Sequence, residues 1–198
     1  MAQVRPMRAD ARRNHERLLK AAVSAFAEHG DGASLDDIAK RAGVGSGTLY
    51  RHFPTRRALL EAAYLDRIEA IAARADALAA RLPPGEALVE WLNELGTGMI
   101  RIRGLKALLG LAVTDGGAPA VTDGAPAVRT ACGDCLRTAA TRLVEAAQRE
   151  GTLRRDVDAV DVLRLAHGLA TAAEPADGDA QRIRRYLALL MEGLRAGG

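Results

Sequence analysis

The chain has 198 residues, a length that fits one domain or two small ones. Hydrophobic residues make up 48% and charged residues 27%, which excludes wholesale disorder, and the low aromatic content of 3% among abundant Ala and Leu excludes an all-β fold. The net charge of +3 is uneven, because the first 57 residues hold 11 Lys and Arg against 6 Asp and Glu, whereas the rest holds 17 against 19. We therefore expect the N-terminal part to bind a polyanion.

The N-terminal residues are polar and basic, and no later stretch approaches the roughly 18 apolar residues that a membrane span needs. We therefore expect a cytoplasmic protein with no membrane partner. The two cysteines, Cys132 and Cys135, are too few for a disulfide framework.

Apolar residues recur at helical spacing along most of the chain, and no segment alternates as a half-buried strand would. Capping residues mark several starts: Ser34 with Asp37 resembles a capping box, Ser46 and Thr55 can cap the next two helices, and Asp158 with Asp161 repeats the box. The sequence predicts an all-α fold of about nine helices, namely 12–29, 35–42, 46–53, 55–82, 86–103, 105–113, 128–150, one opened by Asp158 and a last one through Leu194. An imperfect tandem repeat over 114–128, rich in Gly and Pro, predicts a loop.

The stretch from Gly43 to Phe53 is the most informative part of the chain. It places two short helices around a Gly-Val-Gly turn, which is the plan of a helix-turn-helix whose second helix enters the major groove of DNA. Helical spacing turns Leu49 and Phe53 inward. The residues expected on the opposite, outer face are Gly47, Thr48, Tyr50 and Arg51.

These outward residues suit a nucleic-acid partner. Gly47 permits a close approach to the groove, Thr48 can donate to a phosphate or touch a thymine methyl, and Arg51 can bridge O6 and N7 of guanine. The side chains near this face that can donate to phosphates belong to Tyr50, His52 and Arg56.

Other interpretations of the same residues are weaker or remain open. A solvated helix face would carry similar polar groups, but here the turn, the charge asymmetry and the residue types coincide. A phosphate-binding loop at 43–48 would need a preceding strand, and the preceding segment is helical. A nonspecific nucleic-acid-binding protein would also use the basic N-terminus, which contains Arg5, Arg8, Arg12 and Arg13.

The segment from Ser34 to Leu59, SLDDIAKRAGVGSGTLYRHFPTRRAL, resembles the signature of the TetR family of bacterial transcriptional regulators. The resemblance implies a helix-turn-helix DNA-binding domain over 1–54 and a ligand-binding and dimerisation domain over 55–198, with 55–82 as the linking helix. By motif position it implies that DNA is contacted by Ser34, Ser46, Gly47, Thr48, Tyr50, His52 and, through a phosphate, Arg56. A base contact by Arg51 is inferred from chemistry alone.

The resemblance further implies a repressor that binds a palindromic operator in double-stranded DNA as a homodimer and is released by a small-molecule inducer. The last two helices then correspond to the dimer interface, although from periodicity alone their apolar residues fit an intramolecular core equally well. These residues are Leu163, Leu169, Ile183, Leu187, Leu190 and Leu194.

The inducer cannot be identified from the sequence, and a mixed or apolar molecule is expected. Candidate lining residues, although residues of these types more often belong simply to the core, are Tyr64, Trp91, Met99 and His167. We expect no catalytic residues, no cofactor, no metal and no enzyme activity, because nucleophile-elbow and metal-ligand patterns are missing. The alternative is a redox-sensing regulator or thiol oxidoreductase that uses the Cys-x-x-Cys pair Cys132 and Cys135.

Overall fold

A computed structural model describes residues 4–114, 131–173 and 180–196. Within these ranges the chain forms nine α-helices, one 3-10 turn and no strand, which confirms the all-α prediction. The helices are α1 (Val4–His29), α2 (Leu35–Arg41), α3 (Ser46–His52), α4 (Arg56–Ala79), α5 (Pro84–Arg101), α6 (Arg103–Thr114), α7 (Ala131–Glu150), α8 (Ala159–Ala173) and α9 (Ala180–Gly193), and the 3-10 turn is Gly30–Gly32. The predicted loop at 114–128 lies outside the described residues except for Thr114.

The chain divides into two compact units, one ending at Leu65 and the other beginning at Asp66. The division falls inside α4, which continues from the first unit into the second. The sequence placed the functional boundary at Pro54, and that assignment stays a prediction.

In the first unit, α1 packs against α2 and the 3-10 turn, and α2 packs against α3. Helices α2 and α3 have only seven residues each, so they are too short to be stable alone and depend on the buried side chains that they share. The largest fully buried side chains of the whole first unit are Leu18, Phe26, Ile38, Leu49, Leu59 and Leu60.

Local hydrogen bonds confirm three of the four predicted helix caps. The Ser34 hydroxyl accepts the N–H of Asp37 at 3.3 Å, the Thr55 hydroxyl accepts that of Ala58 at 3.1 Å, and the Asp158 carboxylate accepts that of Asp161 at 2.8 Å.

The prediction that Ser46 caps α3 is wrong. Gly45 is the N-cap residue without a side-chain hydrogen bond, and Ser46 is the first residue inside the helix. The Ser46 hydroxyl has instead a partner on α2, so a long-range contact replaces the local cap.

Three helices begin earlier than predicted, and one of them is α6, which starts at Arg103 instead of Leu105. Helix α1 starts at Val4 instead of Arg12, and Pro6 is compatible with this start because a missing N–H costs little in the first helical turn. Helix α5 starts at Pro84, a position where proline is favoured. The segment Pro83-Pro84-Gly85 therefore opens α5.

Helix α5 is the centre of the second unit and packs against α6, α7, α8 and α9. Its fully buried residues include Leu88, Trp91, Leu92, Leu95 and Met99. None of the helices in the described ranges combines the length and the apolar character that a membrane crossing requires.

The second half of α4 is tied to this unit by polar contacts. The indole N–H of Trp91 donates to the carbonyl of Ile71 at 2.9 Å, and Arg74 forms a two-pronged ion pair with Glu94. This ion pair raises the pKa of Arg74, first through the hydrogen bonds that Arg74 donates to Glu94.

Candidate nucleic-acid interface

Helix α3 has one buried face and one exposed face. Leu49 is buried, and so is Phe53, which follows the helix, whereas Gly47, Tyr50 and Arg51 are exposed. Tyr50 exposes 48% of its surface, unusually much for a large aromatic residue in the first unit. The residues that helical spacing predicts on the outer face of α3 are therefore exposed, apart from Thr48, which is half-buried.

The turn between α2 and α3 depends on Gly43, whose φ of +65° favours glycine. A guanidinium nitrogen of Arg17, on α1, donates to the Gly43 carbonyl at 3.0 Å. On the other side of the turn, the Ser46 hydroxyl donates to a carboxylate oxygen of Asp36 at 2.7 Å and so joins α3 to α2. These two contacts span 26 and 10 residues of sequence, so no local motif indicates them.

The turn between α1 and α2 is held by Arg56. Its Nη1 donates to the Ala33 carbonyl at 2.5 Å and its Nη2 to the Gly30 carbonyl at 3.1 Å. The same guanidinium carbon lies 5.0 Å from the centroid of the buried Phe26 ring. The side chain for which the family motif implies a phosphate contact therefore makes three contacts within its own unit.

His52 belongs to a small aromatic cluster at the end of α3. His15, on α1, stacks on Phe53 with ring centroids 5.0 Å apart, and its centroid is 5.7 Å from that of His52. Both imidazoles are half-buried. This cluster joins α1 to the end of α3.

The remaining predicted contact, Ser34, is exposed at the start of α2. Its oxygen accepts the N–H of Asp37, which leaves the hydroxyl hydrogen available as a donor.

The predicted ligand-lining residues have different environments. Trp91 and Met99 are fully buried, and the Trp91 N–H already donates to Ile71. His167 is half-buried on α8, and its ring lies 3.2 Å from where a Cβ on Gly110 of α6 would stand. Tyr64, in the first unit, has a buried hydroxyl without a partner, and burial raises its pKa.

The predicted dimer-interface residues also divide into two groups. Leu163, Ile183 and Leu187 are buried within the single chain, where Ile183 packs on Gly96 of α5. The half-buried residues are Leu169, Leu190 and Leu194. Sequence reasoning missed two exposed leucines: Leu165 on α8 exposes 40% of its surface and Leu189 on α9 exposes 59%.

Cys135 is a half-buried free thiol on α7, and the side chain of Cys132 lies outside what the structure describes. Across the described ranges, no group of three or more His, Cys, Asp or Glu side chains could hold a metal ion.

Comparison with known proteins identifies this architecture. Residues 18–63 match the family described as bacterial regulatory proteins, tetR family, and residues 83–196 match the family described as SbtR-like transcriptional regulators, C-terminal domain. An HTH-type transcriptional regulator of Staphylococcus aureus (strain USA300) is 48% identical over 48 residues, which are 24% of this chain and 26% of that protein. The match thus spans about a quarter of that relative's length.

Solved structures extend the similarity over nearly the whole chain. The TetR transcriptional regulator SCO0520 of Streptomyces coelicolor is 36% identical, with 93% of this chain and 99% of that chain covered and a TM-score of 0.56. The complex of RolR with resorcinol is 18% identical, with 96% and 91% covered and a TM-score of 0.62, and it shows the shared fold.

A helix-turn-helix at the start of an otherwise helical chain defines a DNA-binding transcriptional regulator. The chain belongs to the TetR family of transcriptional regulators. None of these comparisons supports the alternative of a thiol oxidoreductase or redox sensor.

Proposed function

We propose that the protein is a repressor that binds a palindromic operator as a homodimer and is released by a small-molecule inducer. The observation that carries the DNA-binding part is the exposed outer face of α3, whose opposite face is buried in the first unit. In this role Arg51 reads a guanine, and Gly47 lets the helix approach the groove. The groups that bind phosphates are on Ser34, Ser46, Thr48, Tyr50 and His52.

Binding changes the partner of one of these groups. The Ser46 hydroxyl donates to Asp36 in the free protein, so it must turn away from Asp36 to donate to a phosphate. A phosphate is also repelled by the Asp36 carboxylate, which is exposed at the start of α2. Both effects weaken contacts with phosphates, which are the same in every DNA sequence.

The homodimer is supported by the outward apolar residues of α8 and α9. Leu165 and Leu189 are exposed on the single chain, and a symmetric contact between two copies would bury them together with the half-buried Leu169 and Leu190. The other predicted interface residues belong to the core of each protomer, because they are buried within the single chain: Leu163, Ile183 and Leu187.

The interface proposal is tested with Leu189→Lys, measured by sedimentation against the unmodified protein. We expect the variant to sediment as a monomer and to lose operator affinity, because two recognition helices are then no longer linked. Ala188→Lys, at the neighbouring exposed position of α9, is the control for added charge. Dimers of unchanged stability in Leu189→Lys would place the interface elsewhere.

The inducer is proposed to bind in the C-terminal part of the chain. The fold is shared with RolR, which was solved with resorcinol, so we propose a small molecule of mixed polarity. Among the predicted lining residues of this part, Trp91 offers a ligand only its apolar surface, because its N–H already donates to the Ile71 carbonyl.

The central experiment is selection of bound fragments from randomised duplex DNA at physiological salt. We expect one enriched palindrome with half-sites about one helical turn, roughly 34–36 Å, apart. Arg51→Ala should then weaken this site far more than random duplex. If nothing is enriched and binding disappears as salt rises, the protein is a nonspecific DNA-binding protein instead.

A further inference from the structure

Two left-handed glycines flank α2, and the carbonyl of each accepts a hydrogen bond from an arginine. Gly30, with φ +52°, follows α1, and Gly43, with φ +65°, follows α2. Arg56 donates to the Gly30 carbonyl and Arg17 donates to the Gly43 carbonyl. Both arginines come from other helices, so each end of α2 is fixed to a distant part of the unit.

The geometry at Arg56 uses the whole guanidinium group. Two of its nitrogens donate to two different carbonyls, those of Gly30 and Ala33, and the group lies over the ring of Phe26. A planar fork can make these contacts together, whereas the single ammonium of lysine cannot reach both carbonyls and stack on a ring in the same way. The half-buried side chain therefore has a defined position before DNA is present.

The geometry at Arg17 complements this arrangement. Its Nη2 is 3.0 Å from the Gly43 carbonyl oxygen and 3.7 Å from where a Cβ on Gly43 would stand. The guanidinium thus lies directly against the turn that sets the angle between α2 and α3.

We propose that Arg17 and Arg56 are positioning residues that clamp the two ends of α2 and thereby orient the recognition helix α3. In this role Arg56 acts through the carbonyls of Gly30 and Ala33, and it does not neutralise a phosphate as the family motif implies. The inference rests on the proposed function in one respect, namely that α3 reads the operator.

The two roles of Arg56 differ in their dependence on salt. A side chain that neutralises a phosphate releases a counterion on binding, so its removal lowers the slope of log K against log salt concentration by about 0.9. A clamp makes its contacts in the free and bound protein alike, so its removal lowers affinity without changing this slope.

The experiment measures the affinity of the full-length protein for its selected operator over a salt series, with Arg56→Gln and Arg56→Lys. We expect both variants to lose affinity, Arg56→Gln by about tenfold, because charge-assisted hydrogen bonds that orient α3 are lost. Both should keep the slope of the unmodified protein. A slope that falls by about 0.9 in Arg56→Gln and returns, with full affinity, in Arg56→Lys would overturn the proposal.

Amide hydrogen exchange without DNA tests the clamps independently of any operator. We expect Arg17→Gln and Arg56→Gln to speed exchange in α2 and α3, and Arg12→Gln to leave it unchanged, because Arg12 is exposed on α1 and pairs with Glu16 of the same helix. Unchanged exchange in Arg17→Gln, the milder variant because Arg17 is exposed, would contradict the clamp even if Arg56→Gln does not fold. If the unmodified protein selects no operator but the two variants exchange faster, the proposed function is wrong and the clamps are supported.

Discussion

The two units of the chain are stabilised in different ways. In the first unit, two seven-residue helices pack on a small apolar core and are also held by side chains that donate to turn carbonyls, notably Arg17 and Arg56. In the second unit, longer helices surround α5 and bury a continuous apolar core. The first unit exposes polar residues of particular types on α3, and these residues indicate DNA binding. The apolar residues of the second unit indicate mainly how its helices pack. The sequence therefore indicates the DNA-binding role but does not identify the inducer.

The largest effect is expected from opening a cavity in the second unit. Leu92→Ala removes a fully buried side chain from α5 and should lower the free energy of unfolding by about 2–5 kcal/mol. Denaturant unfolding measures the loss. Val23→Ala, at a 40% exposed position of the first unit, is the control and should change stability by less than about 0.5 kcal/mol. Equal effects would contradict the central position of α5.

A smaller effect is expected from backbone strain in the first unit. Gly43→Ala places a Cβ at φ +65° and should destabilise the unit by about 1–2 kcal/mol. It should also weaken operator binding, because the turn orients α3. Gly45→Ala is the matched control, since Gly45 has φ −75° and its Cβ would meet no atom within 4 Å. Thermal unfolding and operator titration measure both variants, and the prediction fails if they behave alike.

A gain in stability is expected at Asn93. This residue is 7% exposed, and its side-chain oxygen is buried without a partner. Asn93→Leu removes the unpartnered group and should raise the free energy of unfolding by about 1 kcal/mol. Asn93→Asp, of the same size, should lower stability because a carboxylate is more costly to bury. A loss of stability in Asn93→Leu would indicate that the second unit uses this amide.

The smallest effect concerns an exposed ion pair of the second unit. Two hydrogen bonds join Arg154 to Asp156, and the hydrogen bond from Arg154 lowers the pKa of Asp156 below its ordinary value of 3.8. A carboxylate with a lowered pKa stabilises the fold above its unfolded pKa, and this contribution is lost as the pH falls through the folded pKa. The variant Asp156→Asn should therefore have a slightly lower melting temperature than the unmodified protein at pH 7, and the same melting temperature in strong acid. If the difference in melting temperature persists in strong acid, the effect comes from packing and not from the ion pair.

Most of the fold followed from local patterns. Ser34, Thr55 and Asp158 cap their helices because each contact joins groups three residues apart, and such spacing is visible in a sequence. The inward face of α3 followed equally from helical periodicity. Ser46 escaped this reasoning because Asp36, ten residues earlier, competes for its hydroxyl.

The sequence by itself determined the all-α fold, the helix-turn-helix and three of the four residues predicted on the outer face of α3, because helical periodicity and turn chemistry act over a few residues. Only the tertiary structure decided that Arg56 faces the carbonyls of Gly30 and Ala33, and that Arg17 reaches Gly43. It also decided that Leu163 and Ile183 are core while Leu165 and Leu189 stay exposed. These outcomes depend on which distant helices meet, and the spacing of apolar residues along one helix does not specify the helix that covers them.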